Sequence, residues 1–206
     1  MTGYLKAVSV ERTEEGMQCL LAIPNKEVSG LYKKMIQQWL SHGRQDSWYK
    51  RFMENLLKGD MTQFSDGLTQ IMEQTVSFHD VAAKPEAFYH GFMLGLTSSL
   101  YQHPNYETQS NRESGGGRYD YCIISKDSAK LSIIFEFKRL DIANQDKKKT
   151  DETIAQALQH AAETALAQID ALHYPAELKR RGLTKILSIG IAFSGRRLGI
   201  AYQRQD

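Results

Sequence analysis

Cysteine, proline and long apolar runs are all scarce in this chain of 206 residues. Two cysteines, Cys19 and Cys122, cannot build a disulfide framework or a cysteine-ligated zinc site. No apolar run approaches the roughly 18–20 residues that a membrane span requires, which argues against a transmembrane protein. The opening Met1-Thr2-Gly3-Tyr4-Leu5-Lys6 lacks the basic-then-apolar layout of a secretory signal. The expected setting is therefore reducing and cytoplasmic, with no membrane partner. His42, His79, His90, His103, His160 and His173 are scattered without metal-ligand spacing, so a histidine-based hydrolase has little support. What is present, 41% hydrophobic and 24% charged residues, suits one full-sized domain or one domain with a small accessory lobe.

The net charge of +2 is too small to announce a nucleic-acid binder, but its distribution is uneven. Residues 1–137 carry 14 basic and 16 acidic side chains, whereas residues 138–206 carry 12 basic and 8 acidic. Lys179 to Arg204 holds seven basic residues and no acidic one. One part of the surface is thus expected to be positive, either as a solvated face or as a contact for a polyanion.

Tyr4–Val10 and Met17–Ile23 read as a hairpin. Asn25 is a plausible helix cap, after which Val28, Leu31, Tyr32, Met35 and Trp39 recur at helical spacing. Trp48, Phe52, Leu56 and Leu57 mark a second helix, and Phe64, Leu68, Ile71 and Met72 a third. Residues 1–80 therefore read as a mostly helical lobe whose apolar stripes are core rather than chemistry. From residue 81 the pattern changes. Pro85 opens a helix to about Leu100. Strand-like runs follow at Asn105–Asn111, Arg118–Ser125 and Leu131–Lys138, the first being the weakest. Gly115-Gly116-Gly117 matches neither a Walker loop nor a dinucleotide fingerprint. A polar segment, Asp141–Lys149, leads to a long helix from about Thr150 with Pro175 past its end. Ile186–Phe193 reads as a strand covered on both faces, turned by Ser194-Gly195-Arg196-Arg197 into a last strand, Leu198–Tyr202.

The informative run is Leu131-Ser132-Ile133-Ile134-Phe135-Glu136-Phe137-Lys138. Side chains alternate along a strand, so Glu136 and Lys138 share one face, and Ile133, Phe135 and Phe137 make the other wholly apolar. A carboxylate and an ammonium at the end of a buried strand are costly unless they pair or meet a ligand. A plain Glu–Lys edge pair satisfies that condition as well as a site does. A second strand adds weight: if Arg118–Ile124 pairs antiparallel with Leu131–Lys138, Asp120 arrives beside Glu136. Two carboxylates so placed repel unless a proton or cation lies between them, and hard oxygen ligands suit Mg²⁺. Lys138 then faces the same cavity, where it can stabilise negative charge or help orient a water. Cys122, on the Asp120 face without a base partner, reads as a small core residue. His90, inside a core-facing helix, reads as a satisfied structural histidine.

Asp120, fifteen intervening residues and then Glu136-Phe137-Lys138 resemble the PD-(D/E)XK nuclease superfamily. Several stretches are similar to its branch that usually follows an AAA-type ATPase-like domain. They are Phe88-Tyr89-His90-Gly91, Ser110-Asn111-Arg112-Glu113-Ser114-Gly115, Gly117-Arg118-Tyr119-Asp120 and Gly190-Ile191-Ala192-Phe193, with Gln168 and Tyr174 on the long helix. The superfamily's eponymous proline is absent, Tyr119 standing before the aspartate. The resemblance implies an α/β, restriction-endonuclease-like core over residues 81–206, a central mixed sheet flanked by helices, beside the N-terminal lobe. It implies Mg²⁺ or Mn²⁺ held by Asp120 and Glu136, with the Phe137 carbonyl and Glu86 as further contacts. A Glu in a first helical turn is equally what the helix dipole favours. Glu113 reads as readily as a surface or turn residue. Lys138 would sit against the attacking water or scissile phosphate, and Gln168 would orient that water or a ligand. The implied substrate is nucleic acid, DNA placed ahead of RNA, and the implied partner is an ATPase-like domain upstream in a longer chain. Arg118, Arg139, Lys147, Lys148, Lys149, Arg180, Arg181, Arg196 and Arg197 are candidate phosphate contacts. The alternative is a module that keeps the fold and binds nucleic acid or a protein without cutting.

Overall fold

A computed structural model describes residues 5–13, 16–41, 46–75, 85–100, 103–114, 117–141 and 150–206. The N-terminal hairpin is β1 (Lys6–Thr13) and β2 (Gly16–Ala22), with a register shift between Ala7 and Ser9. Asn25 caps α1 (Lys26–Ser41) by accepting the Val28 N–H at 2.9 Å. Next come α2 (Asp46–Lys58) and α3 (Met61–Thr75), separated by Gly59, whose φ of +78° ends α2 in the left-handed region.

These two helices share one core with elements from the second part of the chain. Phe52, Leu56, Phe64 and Leu68 belong to one buried cluster with Met93 and Leu96 of α4 (Pro85–Leu96) and with Phe135 and Ile191 of the sheet. The lobe boundary expected near residue 80 falls within residues 76–84, outside those described.

The main sheet has five strands in the order β3 (Tyr106–Ser114), β4 (Gly117–Ser125), β5 (Ser132–Arg139), β6 (Ile186–Ser194) and β7 (Arg197–Gln205). Every neighbouring pair is antiparallel except β5 with β6, which run parallel. That pair needs a crossover, supplied by α5 (Asp151–Ala171). Thr150 caps α5 by accepting the Thr153 N–H, where the residue pattern places the helix start. The α/β class is as expected: a mixed sheet with α2, α3 and α4 on one face and α5 on the other. All nine residues of β6 are buried, in keeping with its unbroken apolar run.

Two elements differ from the sequence reading. Pro175 does not merely follow the long helix but opens a second one, α6 (Pro175–Arg180), where its fixed φ and missing N–H cost nothing. The weak first strand is nine residues long, because pairing with β4 supplies what its polar composition does not.

Candidate active site

Strand β5 divides its side chains as alternation requires. Ile133, Phe135 and Phe137 join the cluster with α2, α3 and α4, while Ile134 packs with Ile169 of α5. Glu136 falls on the α5 face, only 4% exposed, and Lys138 follows it toward the strand end with its side chain 35% exposed.

Strand β4 pairs with β5 through Ile123–Ile133, Cys122–Ile134 and Tyr121–Phe135, and the ladder stops there. Alternation would place Tyr119 on the face of Tyr121 and Ile123. Instead it packs with Cys122 and Ile124, edge-on to Tyr174 with centroids 5.9 Å apart. Its hydroxyl donates to Oε1 of Gln109, the residue paired with Cys122, at 2.8 Å. The strand thus turns over between Tyr119 and Tyr121, and Asp120 between them is swung toward β5. Asp120 Oδ2 accepts the Phe137 N–H at 2.8 Å, occupying the place of the next ladder bond.

Helix α5 supplies the third side of the site through close packing. A Cβ on Gly190 would lie 2.2 Å from the Ala162 carbonyl oxygen and 2.6 Å from the Leu166 nitrogen. A Cβ on Gly199 would lie 2.6 Å from the Leu158 carbonyl. Gly190 is the β6 neighbour of Glu136, so the helix crosses beside that carboxylate with only small side chains, Ala162 and Ala165, between. One turn further, Gln168 accepts from Lys138 Nζ at 2.6 Å through Oε1 and donates from Nε2 to Glu136 Oε1. Lys138 Nζ also lies 3.8 Å from Glu136 Oε1.

The other Glu136 oxygen, Oε2, is buried without a hydrogen-bond partner. Burial, followed by the negative charge of Asp120, pushes the Glu136 carboxyl up to about 7, and Lys138 only partly offsets this. A buried acceptor left unpaired beside a second carboxylate is the environment that a cation improves most. No cluster of three or more His, Cys, Asp or Glu residues suited to a metal occurs among the described residues. Mg²⁺ nevertheless takes one or two protein carboxylates and keeps waters, so Asp120 and Glu136 fit it.

The candidate residues are not all in one place. Asp120, Glu136, Phe137, Lys138 and Gln168 converge. Glu86 lies in the first turn of α4 and Arg118 near the start of β4, but their side chains, like all of Lys147–Lys149, fall outside what is described. Arg139, Arg196 and Arg197 stand at the C-terminal ends of β5 and β6, the end that carries Lys138. Arg139 is paired with Asp141 at 3.1 Å, and Arg197 with Asp151 at 2.7 Å. Arg181 lies elsewhere: it pairs with Glu107, opposite Ile124, about four residues or roughly 13 Å down the strands from Asp120. Arg180 is beside it on α6. Cys122 is wholly buried and its thiol pushed up by that burial, so it offers no nucleophile.

Two neighbours of the site were given no part in it by the sequence, where His90 reads as a satisfied structural histidine. His90 of α4 is hydrogen-bonded through Nε2 to Ser110 Oγ at 2.9 Å, with its ring 6.1 Å from that of Phe137. The linear signals were the Phe88-Tyr89-His90-Gly91 and Ser110–Gly115 stretches and the placing of His90 four residues, about one helical turn, after Glu86.

No curated protein matches the chain. A family model described as the PD-(D/E)XK nuclease superfamily matches residues 84–203, which takes in α4, β3 to β6, most of β7 and α5. By that match and by a mixed sheet whose strand ends gather an Asp, a Glu and a Lys, the chain belongs to the PD-(D/E)XK nuclease superfamily.

Proposed function

We propose that this protein is a metal-dependent nuclease that hydrolyses phosphodiester bonds, with DNA as its substrate ahead of RNA. The observation that carries the reading is the Glu136 carboxylate. One oxygen is tied to Gln168, the other is buried without a partner, and Asp120 and Lys138 stand beside it. In this reading Asp120 and Glu136 hold Mg²⁺ or Mn²⁺, with the Phe137 carbonyl and Glu86 as additional contacts. When bound, such a cation supplies Lewis acidity and lowers the pKa of an attacking water.

The remaining work falls to the chain itself. The Phe137 N–H fixes the Asp120 carboxylate in one orientation. Gln168 joins Glu136 to Lys138, so the acid and the ammonium are held in a fixed relation by one amide. Lys138, at the solvent edge of this network, is suited to stabilise the charge that builds on a phosphate as it is attacked. Arg139, Arg196 and Arg197, at the same strand ends, are suited to the flanking phosphates once those displace Asp141 and Asp151. The similarity to the ATPase-associated branch supports one further element, a longer parent chain in which an ATPase-like domain precedes this one.

Cleavage of plasmid and of single-stranded DNA in Mg²⁺ or Mn²⁺ tests the reading directly. Wild type is expected to cut and Lys138→Ala to lose activity by 10²-fold or more, on the order expected for an electrostatic group at the reacting centre. Equal cutting by both proteins sinks the assignment of Lys138. Tight DNA binding with no cutting by wild type in either metal favours the non-cleaving module instead.

A further inference from the structure

His90 of α4 and Ser110 of β3 lie outside the residues given a role above, yet both adjoin the place where the β4–β5 ladder ends. Ser110 pairs with Tyr121, so it faces the cluster of Phe135 and Phe137 rather than α5. Regular alternation would put Tyr119 next on that face, opposite Arg112 of β3, diagonal to Ser110 and toward Phe137 of β5. Because β4 turns over, Tyr119 is on the opposite face with Tyr174 and Gln109. The half-buried His90 joins the two strands on this face, bonded to Ser110 on β3 and with its ring 6.1 Å from that of Phe137 on β5.

We infer that His90, held by Ser110, is a positioning residue for the metal site: it braces Phe137, whose N–H orients the Asp120 carboxylate. The inference rests on the reading of Asp120 and Glu136 as cation ligands. The physical reason is that Phe137 has lost its ladder partner on this side. Beyond Tyr121–Phe135 no β4–β5 backbone pair fixes the end of β5, and the bond to Asp120 replaces it. The end of the strand is then located by β6, by that side-chain bond, by Gln168 on the α5 face and by whatever packs on Phe137. An imidazole anchored at its far nitrogen is a stiffer packing partner than an aliphatic chain. Partners that orient a ligand, rather than ligate, are worth 10–100-fold in metal affinity.

The test uses Mn²⁺ alone as the probe, titrated calorimetrically into wild type, His90→Ala, His90→Gln, Ser110→Ala and Asp120→Asn, with a thermal melt of each. His90→Ala is expected to weaken Mn²⁺ binding by about 10-fold. His90→Gln, whose amide can still meet the Ser110 hydroxyl, is expected to restore most of it. Ser110→Ala is expected to share the loss, and the double variant His90→Ala/Ser110→Ala to be no weaker than the worse single one. Wild-type affinity in His90→Ala overturns the inference, as does a loss that follows the melting temperature and is not recovered in His90→Gln. Equal Mn²⁺ binding by wild type and Asp120→Asn overturns the ligand reading itself, and the inference with it.

Discussion

Glu136 carries a conflict that the protein alone does not resolve. It is 4% exposed, has one oxygen without a partner, and faces a second carboxylate. Its pKa is raised from 4.5 to about 7, so the folded chain binds this proton more tightly than the unfolded chain does. The associated stability is therefore present in full below 4.5 and is lost as pH rises through about 7. In metal-free protein the loss is expected to be on the order of 1–3 kcal/mol after screening, each tenfold change in proton affinity being worth about 1.4 kcal/mol. Asp120→Asn removes the like charge while keeping an acceptor for the Phe137 N–H. It is expected to raise the melting temperature at pH 8 without metal, and to abolish the further rise that wild type gains from Mg²⁺. Melts at pH 4.5 and 8, with and without Mg²⁺, check both halves. A wild type whose metal-free stability is flat between these pH values contradicts the assignment of the strain to Glu136.

Among the elements, α5 matters most, because it brings Gln168 to Glu136 and Lys138. It reaches them only because Gly190 and Gly199 let it lie against β6 and β7. A methyl group on Gly190 would stand 2.2 Å from a helix carbonyl oxygen, a contact that backbone cannot relieve cheaply. Gly190→Ala is expected to destabilise by about 1–3 kcal/mol and to reduce nuclease activity by more than stability alone explains, since Gln168 shifts with the helix. Gly95→Ala in α4 is the control. With no atom within 4 Å of the added Cβ, it is expected to be neutral or to stabilise by about 0.5–1 kcal/mol. Denaturant titrations of the two variants, paired with cleavage rates, separate these outcomes. Most of the elements follow from periodicity and capping, down to Asn25 as a helix cap and the start of α5 near Thr150. Helix α6 did not, because a proline after a long helix marks a stop and an N1 position equally well.

Across the whole molecule, the described basic residues of the C-terminal third are divided between two ends of one sheet. Arg139, Arg196 and Arg197 stand at the end that holds Lys138, whereas Arg181 is tied to Glu107 toward the other. Arg139→Ala and Arg197→Ala are each expected to weaken DNA binding and to lower the slope of log affinity against log salt by about one. Arg181→Ala is expected to leave both within twofold. Fluorescence anisotropy over a salt series reads all three, and an equal effect from Arg181→Ala would remove the distinction between the ends. No helix among the described residues is long and apolar enough to cross a membrane, in keeping with the short apolar runs of the sequence.

Composition and pattern alone determined the order of helices and strands around the main sheet, the two faces of β5 and the sharing of one face by Glu136 and Lys138; the fuller set of site residues came from the family resemblance. These are local or near-local properties: alternation assigns faces, and spacing fixes which side chains share one. Tertiary structure decided how the site is closed. The turning over of β4 at Tyr119–Tyr121, which aims Asp120 at the Phe137 N–H, is a departure from alternation that no pattern announces. The meeting of Gln168 with Lys138 and Glu136 depends on contacts thirty residues apart, through glycines on β6 and β7. His90 of α4 meets Ser110 of β3 and Phe137 of β5 only through the packing of the helix on the sheet. Long-range packing sets each of these, and the identities of adjacent residues carry no record of it.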